Sequence, residues 1–170
     1  MITLTDDTAV TALGEFIELC CPEVEVYRGQ INRVPMPQEP FCIINSIGRS
    51  YLSYPRHGYT DDAEEKIREV GRTTELRVQV DFYGAGSAEY AHEFCNLFVD
   101  EYGWASMPDN VKPLKASDPS QMPLTSAERQ LVERWRIDCS LQVDQTVSID
   151  QDFFDTAGDT SVINVPENFQ

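Results

Sequence analysis

Hydrophobic residues recur along this 170-residue chain with two periods, and the change from one to the other marks out its elements. Val10, Leu13, Ile17 and Cys20 stand three or four apart, the repeat of a helix with one buried stripe. Asp6 and Asp7 place negative charge at its amino end, where the peptide dipoles favour it, and Pro22 stops it. Val24 and Val26 alternate with Glu23, Glu25 and Tyr27 as an edge strand, and Phe41-Cys42-Ile43-Ile44 is an apolar run of buried-strand length, continuing less regularly through Tyr51-Leu52-Ser53-Tyr54. Residues 55–72 are polar, without a marked apolar face, and suggest a protruding strand-loop-strand arm.

Two segments alternate clearly with period two. Leu76, Val78, Val80 and Phe82 interleave with Arg77, Gln79, Asp81 and Tyr83; Trp135, Ile137, Cys139, Leu141 and Val143 interleave with Arg134, Arg136, Asp138, Ser140 and Gln142. Each predicts a strand with one buried face. Between them Ser87 can cap a second helix whose stripe is Ala91, Phe94, Cys95, Phe98 and Tyr102, ending at Gly103. Residues 105–127 read as loop, with prolines at 108, 113, 119 and 123 around a short strand at 111–114. The pattern fades after Val147. The expected architecture is α+β: a largely antiparallel sheet with two helices packed on one face and a long arm. Residues 1–147 form the one domain. Residues 148–170 form an acidic tail, mobile or docked on a neighbouring subunit through Phe153-Phe154.

Charge changes the picture. Thirteen Lys and Arg against 29 Asp and Glu leave a formal net charge of −16. Tight nucleic-acid binding draws on cations that displace condensed counterions, so a general DNA-gripping surface is excluded. An acidic wall does suit a pore along which DNA slides, and it equally serves solubility. No apolar run is long enough to cross a bilayer, and Met-Ile-Thr-Leu-Thr-Asp-Asp lacks the features of a secretory signal, which predicts assembly in a cytoplasm.

Chemistry finds few footholds. Cys20, Cys21, Cys42, Cys95 and Cys139 mostly fall in apolar periodic segments, as buried thiols do, and none belongs to a CxxC pair. Only His57 and His92 supply imidazoles. A hydrolase built on His92 with Cys20 or Cys95 is the remote enzymatic reading, and no oxyanion-forming turn accompanies either cysteine. Gly84-Ala85-Gly86 departs from GxGxxG at Glu89 and is turn chemistry. Asp61-Asp62 and Asp150/Asp152 lack calcium-loop spacing. No cofactor or metal is implied. What remains are two proline-stiffened loops carrying recognition residues: Arg28, Gln30, Asn32, Arg33 and Met36 in the first, Asp118, Gln121 and Met122 in the second.

Four blocks, Arg28-Gly29-Gln30-Ile31-Asn32-Arg33-Val34-Pro35, Val78-Gln79-Val80-Asp81-Phe82-Tyr83-Gly84, Asp118-Pro119-Ser120-Gln121-Met122-Pro123 and Glu128-Arg129-Gln130 with Arg134-Trp135, resemble in order the bacteriophage neck or tail-terminator family. An aromatic helix ending Phe98-Val99-Asp100-Glu101-Tyr102 sits between the second and third, and together they cover most of residues 24–143. The resemblance implies a virion structural subunit without catalytic residues. It also implies a homo-oligomeric ring, commonly a hexamer, that caps the tail tube, joins it to the head connector, and lets the genome pass without specific binding. A head-completion or adaptor protein of the neck is the related alternative. The alternation around Trp135 predicts that Trp135→Ala costs on the order of 3–5 kcal/mol, an expectation that thermal denaturation checks.

Overall fold

The computed structural model describes residues 4–29, 37–61, 66–122, 124–125 and 131–150. Helix α1 (Asp6–Cys20) is followed by strands β1 (Glu25–Arg28), β2 (Phe41–Tyr51), β3 (Arg56–Asp61) and β4 (Lys66–Tyr83). Helices α2 (Ser87–Phe98) and α3 (Glu101–Ser106) come next, then β5 (Val111–Ala116), β6 (Ser120–Gln121), β7 (Leu124–Thr125), β8 (Leu131–Val132) and β9 (Arg134–Asp150). The main sheet is ordered β1-β2-β4-β9-β5, with β3 also on β4 and β6 also on β9. Only β1 and β2 run parallel; the other pairings are antiparallel. The fold is the α+β arrangement expected from the alternation.

Its frame is the pair β4–β9, in register from Ile67 opposite Asp150 to Tyr83 opposite Arg134. Leu76, Val78, Val80 and Phe82 on β4 and Ile137, Cys139, Leu141 and Val143 on β9 are all buried. They face the helices. Phe16 of α1 meets Phe94 and Phe98 of α2 with ring centroids 6.1 and 6.2 Å apart, and Phe82 of the sheet meets Phe94 at 6.0 Å. One aromatic cluster thus joins both helices to one sheet face, and each fully buried Phe contributes about 1.5–3 kcal/mol by leaving water. Thr5 caps α1 by accepting from the Thr8 amide at 3.3 Å.

Several details differ from the periodic reading. There are three helices among the described residues, not two, because Asp100 interrupts the aromatic helix. Its carboxylate accepts from the Tyr102 amide at 3.0 Å and starts α3. Gly103 therefore lies inside α3, buried so tightly that a Cβ there would stand 2.5 Å from the Phe98 carbonyl oxygen. The cap of α2 is Gly86 at φ +82°, not Ser87, which is its buried first residue. The short strand expected at 111–114 is β5, which runs to Ala116 along β9, but more of 105–127 is paired than expected, since Ser120 and Gln121 also pair with Arg136 and Trp135. Pro113 is tolerated because β5 is an edge strand whose register shifts between Pro113 and Lys115. β2 ends at Tyr51, and Tyr54 is 90% exposed. β9 continues through Val147 to Asp150, while residues 151–170, with Phe153 and Phe154, lie outside the described residues.

The helix-free face of the sheet is held by charge. Asp81 is only 1% exposed, yet it lies there opposite Arg136 on β9. Arg134 meets it with Nη2 at 3.0 Å and Nε at 3.1 Å, and Gln79 donates to its other oxygen. A buried carboxylate left without its cation is costly. Arg134→Ala is therefore expected to destabilise the domain by about 3–5 kcal/mol, whereas Arg136→Ala, whose partner Asp138 is half exposed, costs less than about 1 kcal/mol. Trp135 is only half-buried, packed against the rim of the core with Nε1 donating to Glu133 at 3.0 Å. This lowers the expected cost of Trp135→Ala from the 3–5 kcal/mol of a full core position to about 2 kcal/mol. Thermal denaturation of the three variants checks the ranking.

Candidate assembly surfaces

Of the two sequence-predicted recognition segments, Arg28 of the first and Gln121 of the second stand on opposite edges of the sheet. Arg28 ends β1, level with Ile44, Val80 and Ile137 across the intervening strands; Gln121 pairs with Trp135 on the far side. At about 4.8 Å per strand these edges are roughly 20 Å apart, so the structure does not gather the residues into one patch. Arg28 is engaged within its own subunit. Its guanidinium forms an ion pair with Asp7, donates to the Thr11 hydroxyl, and reaches the Asp7 carbonyl at 3.2 Å, tying β1 to α1. Gln30, Asn32, Arg33 and Met36 lie outside the described residues.

On the other edge Asp118 and Gln121 are exposed, and Met122 is 43% exposed while its amide donates to the Arg134 carbonyl at 2.8 Å. The backbone here is fixed from both sides. Ser117 Oγ accepts from the Asp138 amide at 3.0 Å and donates to the Asp118 carbonyl at 3.2 Å, so the segment presents its side chains from a rigid edge.

A groove of about 350 Å³ separates this edge from α2 and is lined in part by His92, Cys95 and Asp118. This is the arrangement closest to a hydrolase, and its electrostatics run the wrong way. Cys95 donates to the Ser117 carbonyl at 3.6 Å, and burial, with Asp118 beside it, pushes its thiol up to about 11. Burial and then Glu93 raise Cys20 to about 11 and Cys21 to about 12. Cys42 and Cys139 are raised by complete burial. A nucleophilic cysteine needs a lowered pKa and a cationic neighbour; these thiols have neither. No group of His, Cys, Asp or Glu among the described residues could hold a metal ion.

Charge is sorted by element. All eleven Lys and Arg among the described residues lie on strands, and α1, α2 and α3 carry seven Asp or Glu with no Lys or Arg. Asp6, Asp7, Glu89 and Glu101 occupy first turns, where the dipole favours them; Glu15, Glu18 and Glu93 do not. The helical layer is thus a uniformly acidic surface. Along α2 it holds a shallow groove of about 550 Å³ whose charged lining residues are Glu89 and Glu93. On the helix-free face cations and acids are paired: Lys115 reaches Glu75 at 3.2 Å, and hydrogen bonds from Ser140 and then Lys115 hold the Glu75 carboxyl below the usual range.

The third surface is the arm, where β3, β4 and the end of β9 run beyond the helices. The period-two alternation of β4 and β9 carries through it without a shift. The side continuous with the core bears Val70 and Val147 as cross-strand partners, Ile149 opposite Arg68, and Tyr59 of β3 opposite the same Arg68. The sequence of 55–72 showed no apolar face because half of it is supplied by β9. The opposite side bears Gly58, Gly71, Thr73, Thr146 and Ser148. Tyr51, Tyr59 and Ile149 are 67, 58 and 48% exposed.

The described surface thus offers two sheet edges, an acidic helical layer and a half-apolar arm. The chain matches the family model described as phage neck terminator protein over residues 7–165, and it belongs to that family. No curated protein matches it. The family is a structural one, which places the protein in the virion, at the neck, among the head and tail proteins. The match extends past residue 143, where the resembling blocks end, and takes in most of the acidic tail. No helix among the described residues is long and apolar enough to cross a membrane.

The raised thiols generate a test. At pH 8 a thiol of pKa about 11 is about one part in a thousand thiolate, so an aromatic disulfide reagent is expected to leave all five cysteines unmodified until the protein unfolds. Because folding raises these pKa values, it favours the protonated thiols. Their stabilising contribution is full below about pH 9 and is lost as pH rises through 11 to 12, which denaturant titrations at pH 8 and 10.5 would register as a lower midpoint at the higher pH.

Proposed function

We propose that this protein caps the head-proximal end of the phage tail tube and joins it to the head connector, as a homo-oligomeric ring of six copies through which the genome passes. The observation that carries the reading is the family match over residues 7–165. The edges that carry Arg28 and Gln121 support it, since a ring subunit needs unlike contacts on opposite sides and these edges are opposite one another. Arg28, Gln30, Asn32, Arg33 and Met36, and Asp118, Gln121 and Met122, are the proposed contacts with neighbouring subunits, the tube protein or the connector.

The net charge of −16 gives the channel its character. Subunits this acidic repel phosphate, so a DNA strand meets no cationic grip and slides rather than binds. Assembly takes place in the host cytoplasm, and the role is scaffolding without catalytic turnover.

Light scattering on a sizing column over a concentration series, followed by negative-stain imaging, tests the proposal. Rings of about six subunits with a central hole are the expected result; a ring of different symmetry would move the protein to the adaptor position, and a compact dimer would contradict both. Arg33→Glu is expected to lower the assembled mass, or the binding to purified tail tubes, while leaving the melting temperature within about 1 °C. An unfolded Arg33→Glu protein would place that residue in the core instead.

A further inference from the structure

The arm is a sheet that no helix among the described residues covers. From Thr74 to Lys66, β4 runs about 27 Å beyond the last residues under the helices, at roughly 3.4 Å per residue. The side of this ribbon continuous with the core still carries a core-like pattern: Tyr51, Tyr59, Val70, Val147 and Ile149. Its described charges are sorted in part by face, Arg56 lying opposite Gly71 on the side away from the tyrosines. Arg68 and Arg72 lie on the apolar side, Arg72 with its guanidinium 3.4 Å from the centroid of the Tyr51 ring and Arg68 at 5.9 Å from that of Tyr59. No carboxylate among the described residues forms an ion pair with either. Glu69, Asp144 and Asp150 project from the other side.

Resting on the ring reading above, we infer that the Tyr/Arg face of the arm lies over the acidic groove of α2 on a second copy of this chain, whose helices complete the layer that the arm lacks. Three observations select this occupant. The arm's apolar face is the direct continuation of the face that α1 and α2 cover in their own subunit, so a helical layer is the shape it fits. The charges are complementary: arginines over tyrosines on the arm, Glu89 and Glu93 as the charged groups lining the α2 groove, and no Lys or Arg on any helix. The dimensions agree, since Arg68 and Arg72 stand about 14 Å apart along the strand and α2 is about 18 Å long.

The contact joins two different patches, arm to helices. Such a heterologous contact leaves each subunit with one arm to give and one groove to offer, and when the rotation closes it builds a ring rather than a dimer. It also gives the acidic helical layer a use that solubility alone does not require.

Charge reversal tests this with the intact protein. Arg68→Glu/Arg72→Glu and, separately, Glu89→Arg/Glu93→Arg are each expected to weaken self-association at least about tenfold, read as assembled mass against concentration. Combining all four changes in one chain is expected to restore it to within about threefold of wild type. Glu89 and Glu93 are exposed, so their reversal leaves the fold intact, and near-UV circular dichroism verifies this for every variant. Wild-type protein that assembles while both reversals leave its mass unchanged overturns the arm-to-groove contact and spares the ring; so does a loss that the four-fold variant fails to rescue. Wild-type protein that stays monomeric up to millimolar concentration overturns self-assembly, and this contact with it.

Discussion

The structure depends on a single long pairing, the antiparallel ladder between β4 and β9. Over its lower half, alternate residues of both strands point into the aromatic core with α1 and α2; over its upper half the same alternation runs on beyond the described helices. One register therefore sets both the core and the arm. A slip by one residue would turn Val78, Val80, Ile137 and Leu141 out to solvent and carry Arg77 and Asp138 inward, so the hydrophobic core fixes which side chains the arm presents some 25 Å away. Asp81 with Arg134 pins the same ladder at its lower end, where a buried carboxylate and its cation fit in only one alignment.

The second constraint is electrostatic. A chain with 29 acids and 13 cations must place the excess somewhere, and this fold gives its three described helices seven acids and no Lys or Arg while retaining its described cations on the strands. The pairs Lys115–Glu75, Arg134–Asp81 and Arg136–Asp138 stitch the helix-free face; on the helical layer Asp6 and Asp7 pair with Arg49 and Arg28, and the other helix acids form no ion pair among the described residues. That surface repels phosphate and other copies of itself, and it attracts a surface bearing arginines. A subunit that must assemble with its neighbours while letting DNA slide past meets both needs with this one partition.

Much of this was legible in the chain. The alternation in Leu76–Phe82 and Trp135–Val143 located the ladder, the stripe Val10-Leu13-Ile17-Cys20 located α1, and thiols placed in apolar runs are thiols that burial holds protonated. What escaped was whatever depends on residues distant in sequence. The apolar face of the arm is assembled from β2, β3, β4 and β9, each giving one or two residues, so no window on the chain contains it. The break between α2 and α3 is local, but Asp100 signals a cap only once the helix geometry lets its carboxylate reach the Tyr102 amide. The ties of Arg28 to its own chain were hidden because Asp7 and Thr11 lie on a helix that ends before β1 begins. The strand read at 111–114 is β5, but β6 was obscured by prolines, which an edge strand tolerates and a central one does not.

Backbone hydrogen exchange, compared between the dilute single subunit and the assembled state, tests most directly whether one ribbon serves as core in its lower half and as assembly arm in its upper half. The account predicts that amides of 76–82 and 135–143 are protected in both states, while those of 56–60, 66–72 and 144–150, together with α2, become protected only on assembly. Protection gained at the β1 and β6 edges alone, with the arm exchanging equally fast in both states, would contradict it.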